Sequence, residues 1–229
     1  MINLYFDIET VPCQRQDLID VLVLDIKPPG NLSKQETIEK WWAENYESEC
    51  DKRLRKTALD GLYGEILSIA AAIDDEEPNC FIRTKNDPES KPINEFYHAL
   101  ANLRDEHDQR VVEVRWIGHW ITGFDLRFLW QRSVINGIKP PIHLPKDAKA
   151  WDREIFDTKV AWTGISSQYT GAGSLSAITK VFGGDGKDDF NGADVYDAWI
   201  EEAYGTIKDY NIRDVEETRM LYKRFNFLT

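Results

Sequence analysis

Apolar and polar residues change rhythm several times along the chain, and each change marks an element. Residues 2–8, Ile-Asn-Leu-Tyr-Phe-Asp-Ile, are rich in β-branched and aromatic side chains and predict a strand. Residues 11–33 show no clear period, and Pro28, Pro29 and Gly30 break any element there. Ser33 and Glu36 have the spacing of a capping box, which predicts a helix from about residue 34 into the fifties. Residues 65–73 read as a second strand, and a turn over 74–79 leads to a short third strand around 81–83, making a hairpin. Helical periodicity covers 93–106, a strand pattern 111–117, and a further helix 123–135. A Pro-rich connector at 139–145 precedes a short strand at 155–160, a helix at 174–182 and a loop at 183–186. Two helices, near 194–202 and 206–225, follow. There is no internal repeat, low-complexity run or long flexible linker. Strands first, then alternating helices and strands, predict one α/β domain over residues 1–229, built around a mixed β-sheet flanked by helices.

The same periodicities single out acids in unexpected places. Alternation puts Asn3, Tyr5, Asp7 and Glu9 on one face of the first strand and Leu4, Phe6 and Ile8 on the other. The carboxylates of Asp7 and Glu9, about 7 Å apart along a strand, repel unless solvated or bridged by a cation. An amphipathic strand with a wet face is one reading; a site for hard, oxygen-seeking divalent ions is the other. On the last helix, Tyr210 and Asp214 lie one turn apart, in a row with Ile207, Thr218, Leu221 and Phe225. Asp214 therefore interrupts the stripe that faces the core, where a lone carboxylate is costly without a partner or a metal. Local pairing with Arg213 or Arg219 is disfavoured, because those residues point to other faces. Asp125 follows Thr122 with capping-box spacing and can serve a helix start, a metal, or both. Four acids on three elements share one explanation. Two divalent ions about 4 Å apart, held by carboxylates, support phosphodiester hydrolysis, one acidifying the attacking water and the other stabilising the leaving 3′-oxygen.

Composition narrows the class. With 42% hydrophobic and 30% charged residues, the 229-residue chain can bury a sizeable core, and wholesale disorder is excluded. Eight Trp imply core or stacking roles for several of them. A net charge of −12 argues against a nucleic-acid partner. Acids gathered to hold cations soften that objection, since the bound ions reverse the local sign. Lys52, Arg53, Arg55 and Lys56 form one basic group and Arg213, Arg219, Lys223 and Arg224 another; each alone reads as a solvated face. Cys13, Cys50 and Cys80 are odd in number and widely spaced, which excludes a disulfide framework and a structural zinc site. No signal-peptide pattern and no membrane-length apolar run are present, so the expected location is cytoplasmic, with no membrane partner.

Three segments resemble the DEDD superfamily of 3′–5′ exonucleases. Tyr5-Phe-Asp-Ile-Glu-Thr10 is similar to its first motif and Gly118-His-Trp-Ile-Thr-Gly-Phe-Asp-Leu-Arg-Phe-Leu129 to its second. Tyr210-Asn-Ile-Arg-Asp214 is similar to its third, in the Tyr form (DEDDy) of the branch that includes the proofreading exonuclease domains of family B DNA polymerases. The specificity lies in all three occurring in order with an acid at each expected place. The resemblance implies a ribonuclease H-like fold, two Mg²⁺ or Mn²⁺ ions, and release of 5′-mononucleotides from single-stranded or frayed DNA 3′ ends. It implies that Asp7, Glu9 and Asp214 hold the first ion, that Asp7 also touches the second, and that Asp125 acts on the second through water. Tyr210 would position the attacking water, and Ile8 and Thr10 would pack against or hydrogen-bond the terminal nucleotide; Phe124, within the second motif, is a further candidate for substrate contact. An exoribonuclease of the same mechanism remains open, because discrimination rests on contacts to the 2′-hydroxyl. So does a catalytically silent nucleic-acid-binding domain, although all five motif residues are intact.

Two departures from the pattern stand out. Trp120 occupies a position where the family often has Asn and reads either as a core tryptophan or as a substrate-binding ring that stacks a base, and residues 11–60 form an insertion-like helical segment between the first two strands. With no polymerase domain after Thr229, the chain is expected to act as a stand-alone enzyme or a subunit. Ile38, Trp42 and Tyr46, with Trp41 beside them, either dock the inserted helix on the core or, with Arg53 and Arg55 nearby, hold a single strand. Asp157 either lines the site or pairs structurally, Gly183–Lys187 reads as a turn rather than a phosphate loop, and His119 reads as a packed motif residue.

Overall fold

The computed structural model describes residues 1–103, 113–164, 173–184 and 190–228. Strand β1 (Ile2–Val11) is the hub of a five-stranded sheet ordered β3-β2-β1-β4-β5. It pairs antiparallel with β2 (Glu65–Ile73), with Asp7 opposite Ala70 and Glu9 opposite Ser68. Its other edge runs parallel to β4 (Val114–Gly118), which in turn pairs in parallel with β5 (Ile155–Asp157). β3 (Asn79–Ile82) closes the hairpin with β2. The expected mixed sheet flanked by helices is what forms.

The helices sort the two faces of β1. Leu4, Phe6 and Ile8 point into a core with Phe96 of α3 (Ser90–Ala101) and Leu129 of α4 (Asp125–Ile135). Tyr5 points the other way, against Val215 and Tyr222 of α8 (Tyr204–Phe225). The face that carries Asp7 and Glu9 is therefore roofed by a helix and is not an open wet surface. A bulge sharpens this sorting: the register slips between Glu9 and Thr10, whose partners are Ser68 and Ile66. Ile66 and Ile69 both join the α3/α4 core, Leu67 packs with Val11 and Trp199 of α7 (Val195–Ile200), and Ser68 turns towards α8.

Residues 11–33, expected to be irregular, contain α1 (Gln16–Leu24). Its apolar residues run almost without interruption, so no helical period shows, and the helix is stabilised by lying along α2 (Gln35–Lys56). Neither helix has a buried residue. The Ser33–Glu36 capping box does not form. Lys34 is the N-cap of α2 and no side chain caps it, so Ser33 stands one residue too early. The α2 aromatics do not dock on the sheet core either; the Trp42 ring meets Trp41 edge-on at 5.1 Å and Tyr46 at a tilt at 5.5 Å.

Arg55 ties the end of α2 to α7. Its guanidinium donates to both Asp197 carboxylate oxygens at 2.6 and 3.2 Å, to Asp51 at 2.8 Å, and lies over the Tyr196 ring. A bidentate arginine pair fixes geometry more than it adds stability. Arg55→Ala is expected to leave the thermal midpoint nearly unchanged while limited proteolysis within residues 16–56 speeds several-fold. Unchanged cleavage of that segment would show that the arm is held by other contacts.

The strand expected over 155–160 stops at Asp157, because the Asp157 carboxylate caps α5 (Thr158–Thr163) by accepting from the amides of Lys159 and Val160. Pro92 in the first turn lets α3 begin ahead of its apolar period. Of the other expected stretches, residues 104–106 and 111–112, and 185–187 of the Gly183–Lys187 turn, lie outside the described residues.

Candidate metal and active site

Strand β1 and helix α8 meet at one end of the sheet and bring Asp7, Glu9 and Asp214 together. One oxygen from each of the three carboxylates lies within 4.8 Å of the others. Three like charges at such spacing repel strongly unless a cation sits among them. Carboxylate oxygens are the donors that Mg²⁺ and Mn²⁺ prefer, so the residues present fit such ions. Tyr210, one turn before Asp214, is buried at 3% exposure, and its ring packs on Phe190 at 5.1 Å. Burial, and then the charges of Glu9, Asp214 and Asp7, push the Tyr210 phenol far above its usual range. It therefore stays protonated, and its hydroxyl donates to Asp214.

Asp125 stands beside this trio, at the first turn of α4. Its Oδ1 accepts from the amide of Ile8, the residue after Asp7, at 3.2 Å. Burial raises the Asp125 carboxyl to about 7, with the Asp157 and Asp214 charges adding, against hydrogen bonds from its own and the Ile8 amides. A nearby cation would favour its charged form. The direction of α4 is fixed further along by Arg132, which donates to both Glu89 oxygens at 2.7 Å within the core.

The Thr122–Asp125 capping box does not form: Phe124 is the N-cap and no side chain caps α4. The Thr122 hydroxyl donates instead to Asp157 at 2.7 Å. Asp157 also accepts from the amides of Trp120, Thr122, Lys159 and Val160. Its carboxylate is thus saturated and ties the loop before α4 to the end of β5, and the structural reading of Asp157 is the one the geometry supports. Within that loop Trp120 has φ of +65°, a left-handed conformation rare for a bulky residue. Its indole is 48% exposed, with the Lys159 ammonium 4.1 Å from the ring centre and Gly123 so close to the ring that a Cβ there would overlap it. His119 is packed, Nδ1 lying 3.0 Å from the Thr158 hydroxyl and Nε2 2.8 Å from the Gly173 carbonyl.

The other residues singled out from sequence sit as follows. Ile8 has its side chain in the α3/α4 core, the Thr10 hydroxyl donates to the Ala58 carbonyl at 2.7 Å, and Phe124 is half-buried against Phe128. Two further participants, Asn211 and Ser68, are not among the residues singled out from sequence. Asn211, with no exposed surface, donates from Nδ2 to Asp7 Oδ2 at 2.7 Å. Its Oδ1 accepts from the Ser68 hydroxyl at 2.8 Å. An amide inside the long helix α8 is the only local hint, since Asn is a poor helix former there.

A family model described as a predicted 3′–5′ exonuclease related to the exonuclease domain of PolB matches residues 59–229. The match takes in Asp125, Tyr210 and Asp214 and starts after β1, which carries Asp7 and Glu9. No curated protein sequence matches. Among solved structures, the family B DNA polymerase from the hyperthermophilic archaeon Pyrobaculum calidifontis superposes with a TM-score of 0.55 at 16% identity. The alignment covers 98% of this chain and 24% of the polymerase, so the chain spans about a quarter of that protein's length. That likeness shows the fold, a mixed sheet flanked by helices of the ribonuclease H type. No helix among the described residues is long and apolar enough to cross a membrane.

Proposed function

Since the chain belongs to the family of predicted 3′–5′ exonucleases related to the exonuclease domain of PolB, we propose that it hydrolyses DNA from the 3′ end with two divalent ions, Mg²⁺ or Mn²⁺. The observation that carries this reading is the cluster of Asp7, Glu9 and Asp214 oxygens within 4.8 Å, with Asp125 and Tyr210 beside it. In this reading Asp7, Glu9 and Asp214 hold one ion, and Asp7 and Asp125 serve the second. The ions, when bound, neutralise the phosphate in the transition state and acidify the attacking water. Tyr210, kept protonated and buried, orients that water through its hydroxyl.

The test is digestion of 5′-labelled DNA and RNA oligonucleotides of one sequence with Mg²⁺. A ladder shortening from the 3′ end with 5′-mononucleotide product is expected on DNA. Cleavage of closed circles, or of RNA alone, would overturn the assignment. Tyr210→Phe removes only the positioning hydroxyl. It is expected to lower kcat by about 10–100-fold at unchanged thermal midpoint, the usual range for one positioned group. A wild-type kcat would remove Tyr210 from the chemistry.

The exposed indole of Trp120 supports a single-stranded substrate. A bulky residue held at positive φ persists where its surroundings over-determine it, and such strain gathers at functional sites. Here Asp157 and Gly123 hold the backbone and ring in place, and Lys159 brings a positive charge for a phosphate. Base stacking on an aromatic ring is worth about 1–3 kcal/mol. Trp120→Ala is therefore expected to raise KM for oligonucleotides by roughly 5–150-fold with kcat at saturation little changed. A fall in kcat at constant KM would make Trp120 part of the scaffold alone.

A further inference from the structure

Buried polar groups on α8 other than Tyr210 and Asp214 need their own account, and Asn211 is the one most completely engaged. It has no exposed surface, and an apolar side chain at that place would avoid the penalty of burying an amide. Its two ends meet different partners. Nδ2 donates to Asp7 Oδ2 at 2.7 Å, and Oδ1 accepts from the Ser68 hydroxyl at 2.8 Å, with the Cys80 thiol at 3.7 Å from the same oxygen. The orientation of the amide is fixed by charge. Turned over, it would set its carbonyl oxygen against a carboxylate oxygen at hydrogen-bond distance, where the two repel. Ser68 stands opposite Glu9 in the β1–β2 pairing, and regular alternation with Ala70 and Ala72 turns its hydroxyl towards α8. The chain of contacts therefore runs from β2, through α8, to the carboxylate on β1.

We propose that Asn211, oriented by Ser68, is a positioning residue that holds one oxygen of Asp7 and so presents the other in the geometry the cations require. The inference rests on the reading of Asp7 as a ligand of both ions. A short charge-assisted hydrogen bond restricts rotation of the carboxylate about its last torsion. It keeps Asp7 from swinging away from Glu9 and Asp214, whose charges repel it. Without the amide, the ions must order Asp7 at each binding event. Groups that orient a metal ligand in this way change affinity by about 10–100-fold when removed.

The experiment compares wild type, Asn211→Leu and Ser68→Ala. Free Mn²⁺ is measured by electron paramagnetic resonance during titration, beside steady-state kinetics on a DNA oligonucleotide and thermal midpoints. Asn211→Leu, close in volume and without a donor, is expected to weaken Mn²⁺ binding by about 10–100-fold and to lower kcat at fixed Mn²⁺, with KM for DNA little changed. Raising Mn²⁺ should restore part of the lost kcat. Ser68→Ala, which leaves the amide in place but loosens its orientation, is expected to weaken Mn²⁺ binding by a smaller factor in the same direction. Wild-type Mn²⁺ affinity in both folded variants, with only the thermal midpoint lowered, overturns the proposal and leaves Asn211 a packing residue. Should Asn211→Leu not fold, wild-type Mn²⁺ affinity in Ser68→Ala overturns the relay by itself. Wild-type protein that takes up no Mn²⁺ sinks the metal-site reading and this inference together, a result distinguishable from the others because it precedes any substitution.

Discussion

Asp7→Ala is expected to abolish turnover on a DNA 3′ end while the protein stays folded. Asp7 is the acid on which the site converges: it faces Glu9 and Asp214, receives the Asn211 amide, and precedes the Ile8 amide that holds Asp125. Its removal takes one ligand from each proposed ion. The charge stabilisation supplied by such ions is several kcal/mol, so kcat should fall by about 10³-fold or more. Asp214→Ala, which affects the first ion alone, should come close to that loss. Folding should survive, because removing one of three crowded like charges relieves repulsion even as Asn211 loses its partner. The thermal midpoint without metal is therefore expected to change little, and the stabilisation that Mg²⁺ gives the wild type should vanish. A folded Asp7→Ala protein with near-normal turnover would move the active site elsewhere.

Chelation of divalent ions is expected to have an effect of equal size and to be reversible. EDTA should stop hydrolysis completely, and Mg²⁺ or Mn²⁺ in excess should restore it. Ca²⁺ should support binding of the oligonucleotide with little cleavage. It coordinates oxygens at about 2.3–2.6 Å in loose geometry, against about 2.0–2.1 Å in a near-ideal octahedron for Mg²⁺, and so sets the attacking water badly. The metal-free protein should also have a lower thermal midpoint than the Mg²⁺-loaded one, since an ion that binds only the folded state stabilises it by mass action. Full activity in EDTA is the result that would defeat the two-ion mechanism.

Much of this site is legible from local rhythm. Period-two alternation puts Asp7 and Glu9 on one face, and a 3.6-residue period exposes Asp214 as a charge within an apolar stripe. What is not legible depends on pairing between distant segments. The bond from Asn211 to Asp7 joins residues 204 apart, and the placement of Ser68 beside that bond is a property of the register between two strands. Asp157 has the same difficulty, because four of its five hydrogen bonds come from amides and only the fold sets where those amides point. Helix α1 was hidden for another reason: a nearly continuous apolar run has no period to detect, and only its neighbour α2 makes it a helix. The two capping boxes show the opposite error. Residue types and spacing were right at Ser33 and Thr122, but tertiary partners and a shifted helix start took precedence.

The distance along the chain between the two walls of the acidic cluster also bears on how the protein is made. Asp7 lies in the first strand and Asp214 in the last helix, so the site exists only once α8 has closed over β1. During synthesis the first strand leaves the ribosome long before α8 does. A chain translated through residue 200 can pair β1 with β2, yet it lacks Tyr210, Asn211 and Asp214. Nascent chains should therefore be incapable of degrading nucleic acid until α8 has emerged and docked. In the proposed function, cation binding would then clasp β1 to α8. The same closure makes fraying of α8 the simplest route by which the mature protein would lose the acidic cluster without unfolding its sheet.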